Sequence, residues 1–166
     1  MALKSDRHEF ETDISFFMNE TATRGGVASL STGGSGAAMD QGAALATYSA
    51  SASGQTPLGV LLNDMVNLDL TRQHINWHKD EIQKGGKVTL LRKGWVVTNM
   101  LEGSTTSLAG KPCYPAHSGN FSQTNIVADR DNVPIIGRFL SNVDQDGYAK
   151  VEVNLPVNAI MASGTA

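Results

Sequence analysis

Alternation of apolar and polar residues is most regular toward the C-terminal end of the chain. In YAKVEVNL, residues 148–155, apolar and polar side chains alternate, which is typical of a strand with one buried face. The apolar run IIGRFLSNV, residues 135–143, precedes it, and the turn-forming residues DQDG, 144–147, separate the two. Two such runs around an Asp-Gly turn predict a β-hairpin.

Three further segments carry strand patterns. KVTLLRKGWVVTN, residues 87–99, predicts a pair of strands, with Gly94 at a bend or bulge between them. GAALATYSASAS, residues 42–53, alternates in a way that fits a strand with small side chains. TPLGVLLND, residues 56–64, is a short apolar run that ends in turn-forming residues. These patterns predict several short strands.

Helical spacing is weak throughout the chain. Within residues 69–84 a few positions share a helix face, but Gly85 and Gly86 would end such a helix after a few turns at most. We therefore predict a mainly β fold: a compact β-sandwich or barrel-like domain with an extended N-terminal arm and at most one short helix.

The chain divides by composition into three parts. Residues 1–24 are polar and charged, residues 25–156 contain the strand patterns, and residues 157–166 form a weakly apolar tail. A short apolar patch on a charged segment cannot form a core alone, so we expect residues 1–24 to be an arm that docks on this domain or on a neighbour. The predicted docking residues are its large apolar ones: Phe10, Ile14, Phe16 and Phe17.

The charge balance limits the partners. The formal net charge is −3 and charged residues make up 17% of the chain. The basic residues are scattered, so we expect no nucleic-acid partner. The N-terminal MALKSDRHEFETD is too charged for a secretion signal, and no apolar run approaches the length of about 18 residues that a membrane span needs. We expect synthesis in the host cytoplasm and no membrane partner.

HINWHKDE, residues 74–81, is the segment most suggestive of chemistry. On a helix, His74 and His78 would share one face, the spacing that zinc hydrolases use. The glutamate that should follow the first histidine is absent, and no third ligand is marked, although His117, Asp69 and Asp80 are candidates. A metal-dependent hydrolase is therefore a minor hypothesis. We interpret the segment as a polar connection whose Trp77, with both histidines, contacts a neighbour.

Other chemical motifs are incomplete. Residues 142–153 have part of a calcium-loop spacing, but the position that needs a bidentate glutamate is Val153. Cys113 is the only cysteine, so an internal disulfide and a thiolate zinc site are excluded. No nucleophile elbow or pair of catalytic carboxylates is marked. We expect no enzyme activity, no metal and no cofactor.

Three stretches resemble the head decoration proteins of tailed bacteriophages, also called capsid cement or stabilisation proteins. They are TPLGVLLNDMVN, GGKVTLLRKGWVVTN and IIGRFLSNVDQDGYAKVEVNL. The group has a lysine-glycine strand motif, matched here by residues 93–96, and a closing hairpin, matched by residues 136–153. The similarity covers most of residues 42–155.

This resemblance implies a structural virion protein on the outer surface of the phage head. Such proteins bind the major capsid protein, commonly as homotrimers, and hold neighbouring capsomers of the expanded shell together. The resemblance assigns capsid or neighbour docking to residues 1–24 and places His74, Trp77 and His78 at a subunit or capsid contact. The alternative is a carbohydrate- or receptor-binding module of a phage fibre or tail. Its exposed aromatic residues would be Tyr48, Trp77, Trp95, Tyr114 and Tyr148.

Overall fold

The computed structural model describes residues 2–31, 44–64, 81–125 and 133–155. Twelve strands lie within these ranges. They are β1 (His8–Asp13), β2 (Phe17–Met18), β3 (Ala22–Thr23), β4 (Val27–Leu30), β5 (Leu45–Thr47), β6 (Pro57–Asp64), β7 (Glu81–Ile82), β8 (Val88–Thr98), β9 (Pro112–Pro115), β10 (Phe121–Ser122), β11 (Gly137–Phe139) and β12 (Ala149–Asn154).

Ten of these strands form one mixed sheet. Its order is β10-β9-β11-β12-β8-β6-β4-β5-β2, and β1 also pairs with β8, while β3 and β7 form a separate pair. The β2–β5 pairing is parallel and the other strand pairings are antiparallel. The mainly β prediction is confirmed. Within the described ranges, the helical structure is one 3₁₀ turn, His117–Gly119.

In β4, in β6 and in the first part of β8, side chains on both faces of the sheet are buried. In β6, Val60 and Leu62 belong to one apolar cluster, whereas Leu61 between them belongs to a second. In β8, Leu91 belongs to the first cluster and Leu90 to the second. Successive side chains of a strand point to opposite faces, so both faces of these strands contribute to a core. This explains the continuous apolar runs in the sequence, which are typical of strands covered on both sides.

Different strands cover the two clusters. The first contains residues of β11 and β12 together with Phe121 of β10 and Cys113 of β9. The second contains Met18 of β2, Ala46 of β5 and Ile82 of β7. The central strands therefore separate two cores, each closed by its own set of shorter strands.

Residues 87–99 do not form the predicted pair of strands. β8 is a single strand of 11 residues that runs through Gly94. Gly94 has a φ of +145°, and a Cβ atom there would overlap the backbone carbonyl oxygen of His8 in β1. The glycine therefore allows the close approach of a neighbouring strand instead of ending the one that contains it.

The predicted short helix within residues 69–84 falls mainly outside the described residues. Its last part, Glu81–Ile82, is strand β7, which pairs with β3. No helix among the described residues has the length and apolar character needed to cross a membrane.

Residues 2–18 lie along β8. Leu3 bridges to Thr98, β1 pairs with residues 90–95, and Phe17 bridges to Lys87. Leu3 is buried in the first cluster and Met18 in the second. The N-terminal segment thus contributes one buried side chain to each core.

Candidate functional site

A row of polar and aromatic residues crosses four strands of the sheet. His8 of β1 is opposite Trp95 of β8, Trp95 is opposite Glu152 of β12, and Glu152 is opposite Arg138 of β11. Residues opposite each other in adjacent strands lie on the same face of a sheet. The neighbours Val96, Val151 and Val153 are buried, so this row lies on the outer face.

The centre of this outer surface is aromatic. The His8 ring stacks on the Trp95 indole with 4.6 Å between ring centroids, and the Phe10 ring is edge-on to Trp95 at 6.3 Å. Phe10 lies where the β1–β8 register shifts between Glu9 and Glu11, and 73% of its surface is exposed. Bulges of this kind redirect side chains, which accounts for the outward position of Phe10.

Three ion pairs surround the aromatic centre. Arg138 Nε is 2.6 Å from Glu152 Oε2, Lys93 Nζ is 3.1 Å from Glu11 Oε2, and Lys150 Nζ is 3.6 Å from Asp6 Oδ2. Lys150 Nζ also lies 5.0 Å from the centroid of the Trp95 ring. We define the Trp95 patch as these side chains together: Asp6, His8, Phe10, Glu11, Lys93, Trp95, Arg138, Lys150 and Glu152.

An open cleft of about 570 Å³ lies within the patch, next to Phe10. Gly94 and Gly137 line it, with the buried Val153 between them in the sheet. Val153 faces the core and the two glycines have no side chains, so these three positions present only backbone at the outer face. A Cβ atom at Gly137 would overlap the carbonyl oxygen of Glu152, so the spacing between β11 and β12 requires the glycine.

The four predicted docking residues divide into two groups. Phe10 and Ile14 are exposed, the latter to 46%. Phe16 packs against the second cluster, and Phe17 lies in β2 with Lys87 Nζ 5.8 Å from its ring. Phe10 and Ile14 are therefore the large apolar side chains of this segment that remain available to a partner.

The segment around Ile14 is ordered by polar contacts. The Ser15 backbone N–H donates to Asp13 Oδ1 at 2.8 Å, and Arg92 Nη1 is 3.8 Å from Asp13 Oδ2. Burial acts to raise the pKa of Asp13, but the hydrogen bonds from Ser15 and the charge of Arg92 lower that pKa overall. The carboxylate thus holds the turn that presents Ile14.

The predicted contact residues His74, Trp77 and His78 lie outside the described residues. His117, the third histidine of the metal hypothesis, has its Nδ1 2.8 Å from Glu102 Oε1, and its backbone N–H donates to the other oxygen of Glu102. Across the described ranges, no three His, Cys, Asp or Glu side chains are close enough together to hold a metal ion.

The residues with partial calcium-loop spacing form a hairpin turn. Asp144 Oδ1 accepts hydrogen bonds from the backbone N–H groups of Asp146 and Tyr148, at 3.0 and 2.8 Å. Its Oδ2 accepts one from Lys4 Nζ at 2.7 Å. The hydrogen bond from Lys4, followed by that from Tyr148, lowers the pKa of Asp144. These carboxylate oxygens are thus occupied by donors of the chain itself, and Lys4 ties the N-terminal segment to this turn.

Two further groups are structural. The hydroxyl of the half-buried Tyr48 donates to the Thr23 carbonyl at 2.6 Å and accepts from the Gly26 N–H at 3.0 Å. Tyr48 packs against the second cluster, so it is not one of the exposed aromatic residues that the carbohydrate hypothesis needs. Burial raises the pKa of the Cys113 thiol well above its ordinary value, which keeps it protonated and unreactive.

Trp95 is also unsuited to stacking on a sugar. β1 and β12 both pair with residues 93–95, so they lie on opposite edges of β8. His8 from β1 and Lys150 from β12 therefore approach the indole from opposite sides. The His8 ring and the Lys150 ammonium group thus already occupy positions next to the indole where a sugar would stack.

The sequence pointed to Phe10 as a docking residue and to Trp95 as an exposed aromatic residue of the carbohydrate hypothesis, but not to the other members of the patch. The other members come together only through the register between strands, which the sequence pattern does not contain. Comparison with known proteins adds no assignment: no protein-family model matches the chain, and no curated protein matches it significantly.

Proposed function

We propose that this protein is a structural virion protein that binds the outer surface of a phage head. It stabilises the expanded capsid by holding neighbouring capsomers together. The observation that supports this proposal is the position of the two motifs behind the resemblance to head decoration proteins. Residues 93–96 lie on β8, and residues 136–153 contain β11 and nearly all of β12; β12 pairs with β8, and β11 pairs with β12. Both motifs thus contribute to the Trp95 patch.

The character of the patch suits contact with protein. Aromatic residues and arginine are enriched at protein–protein interfaces, and the patch combines Phe10, Trp95 and Arg138 on an open surface. Small-molecule sites, in contrast, are usually enclosed and largely apolar, with a few converging polar groups. The cations and anions of the patch already pair with each other, so no group is left pointing at a small charged substrate.

We assign the capsid contact to the exposed turn around Ile14. The resemblance implies docking through the N-terminal segment, and Ile14 is its exposed aliphatic side chain. Burying such a side chain stabilises a complex by about 1.5–3 kcal/mol, which is roughly a 10- to 150-fold change in Kd. Ile14→Asp should weaken capsid binding at least tenfold.

Purified protein should co-sediment with expanded, DNA-filled capsids of the parent phage that lack it, and binding should saturate. Absence of binding by the wild-type protein would refute the proposed function. The matched control is Leu140→Asp, since Leu140 is exposed to a similar extent, 40% against 46%, at the end of β11. Equal loss of binding in both variants would remove Ile14 from the mechanism.

Deletion of residues 1–24 is not a suitable test. It would remove Leu3 and Met18 from the two cores, together with all of β1. Loss of binding in that variant would report misfolding, so point substitutions at exposed positions are required.

A further inference from the structure

We propose that Asp146 is a site of covalent modification, at which its carboxyl group and the backbone nitrogen of Gly147 convert the peptide bond between the two residues to the isoaspartyl form. The modification does not involve capsid binding, so it goes beyond the proposed function. It rests on the accessibility of these two residues, on the bonds that hold the turn around them and on the contrast with the neighbouring Asp144.

Asp146 and Gly147 lie in the exposed turn between β11 and β12. The Asp146 side chain is exposed to 77%, and its Oδ2 lies 3.7 Å from Lys4 Nζ, which is longer than a hydrogen bond. Gly147 has no side chain, and no atom beyond its chain neighbours lies within 4 Å of the position that a Cβ atom would take. The carboxyl group is thus open to solvent, and no packed neighbour crowds Gly147.

The reaction needs no group from outside the chain except water. The Gly147 nitrogen attacks Cγ of the protonated Asp146 carboxyl group. A new N–Cγ bond forms, while the amide proton and a hydroxyl group leave together as water, and the product is a five-membered succinimide ring. Water then opens this ring at either carbonyl carbon: one cleavage restores aspartate, and the other leaves the chain running through the side-chain carbonyl as isoaspartate. The mass of the protein is unchanged.

Asp144, two residues earlier in the same turn, lacks these features. Its Oδ1 accepts hydrogen bonds from two backbone N–H groups of the turn, and its Oδ2 accepts one from Lys4 Nζ at 2.7 Å. The bond from Lys4 is the main cause that lowers the pKa of this carboxyl group, so it stays ionised and is a poor target for attack. The residue that follows it is Gln145, whose side chain hinders the attacking nitrogen, so the structure favours reaction at position 146 over position 144.

The turn itself restrains the reaction. The Gly147 N–H donates to the Asp144 carbonyl oxygen at 3.1 Å, which closes the turn. Ring closure requires this nitrogen to lose its proton and to rotate toward the Asp146 side chain, so the hydrogen bond must break first. Lys4 stabilises the closed turn through its charge-assisted bond to Asp144. The bond from Lys4 should therefore slow the modification, and the folded chain should react more slowly than the isolated segment.

Isoaspartate at position 146 would loosen the turn. The modification adds one methylene carbon to the backbone between the N–H groups of Asp146 and Gly147. Both of these groups, and the N–H of Tyr148, donate to Asp144. A longer backbone cannot keep all three bonds at their present lengths, so the tie between Lys4 and this turn weakens as the protein ages.

The test follows purified protein at neutral pH over several weeks. Trypsin releases residues 139–150 as one peptide that contains both aspartates. The isoaspartyl form elutes as a separate peak of equal mass, and electron-transfer fragmentation identifies its position. We expect it at position 146 at least several-fold more often than at position 144. Equal amounts at both positions, or none at position 146 while the synthetic peptide 139–150 reacts under the same conditions, would overturn the inference.

Two variants separate the chemistry from the restraint by the turn, and circular dichroism before incubation establishes that both fold. Asp146→Glu keeps the charge but requires a less favourable six-membered ring, so it should abolish the isomer peak; a peak of wild-type size would refute the assignment to position 146. Lys4→Met should accumulate isoaspartate at position 146 several-fold faster than wild type, and an unchanged rate would overturn the restraining role of the turn.

Discussion

Replacement of Gly94 by alanine tests the close approach of β1 to β8. Gly94 combines a φ of +145° with a β1 backbone so near that a Cβ atom would overlap the carbonyl oxygen of His8. An alanine must therefore adopt an unfavourable backbone conformation or push β1 away from β8. Either response destabilises the N-terminal segment.

The size of the effect follows from two contributions. A non-glycine residue held in such a backbone region costs about 1–3 kcal/mol. Separation of β1 from β8 at this point weakens one or two backbone hydrogen bonds, each worth about 0.5–1.5 kcal/mol. The expected loss is about 2–5 kcal/mol in the free energy of unfolding. For a domain of this size that corresponds to a decrease of roughly 4–20 °C in Tm.

Urea unfolding followed by tryptophan fluorescence measures this loss, and two other glycines separate its causes. Gly147 has a φ of +86° with no atom within 4 Å of its Cβ position, so Gly147→Ala reports the backbone conformation alone. Gly137 lacks a positive φ but would place a Cβ on the Glu152 carbonyl, so Gly137→Ala reports the steric overlap alone. If Gly94→Ala costs no more than Gly147→Ala, the close approach of β1 to β8 is wrong.

Two further predictions concern single polar groups. Tyr48→Phe removes a hydroxyl that bonds the backbone of Thr23 and of Gly26 and should lower the free energy of unfolding by about 0.5–1.5 kcal/mol, measured in urea; an unchanged midpoint would contradict a stabilising role for these bonds. The bond from Lys4 lowers the pKa of Asp144, so its stabilising effect is present above the unfolded pKa of about 3.9 and is lost as pH falls through the folded value. Lys4→Met should therefore be less stable than wild type at pH 7, and the difference between the two proteins should shrink as pH falls through the lowered pKa of Asp144; a difference that does not shrink in acid would contradict this linkage.

Strands with one buried face could be predicted from the sequence, because apolar and polar residues alternate along them. In β12 the residues Ala149, Val151 and Val153 are buried and alternate with exposed or half-buried neighbours, as the period of two indicated. β8 was wrongly divided at Gly94 because a glycine within a strand pattern suggests a bend. The true reason for that glycine is the carbonyl of His8, a contact across 86 residues of chain that no local pattern contains.

The candidate site was accessible to sequence reasoning only in part. Phe10 was predicted to be a docking residue because it is a large aromatic residue on a charged N-terminal segment. That reasoning does not depend on whether the segment is an arm. The rest of the patch depends on pairing between β1, β8, β12 and β11, and a shift of one residue in any pair would turn Trp95 or Arg138 to the opposite face. Such registers are fixed by the buried faces of several strands together, so they emerge only in the folded chain.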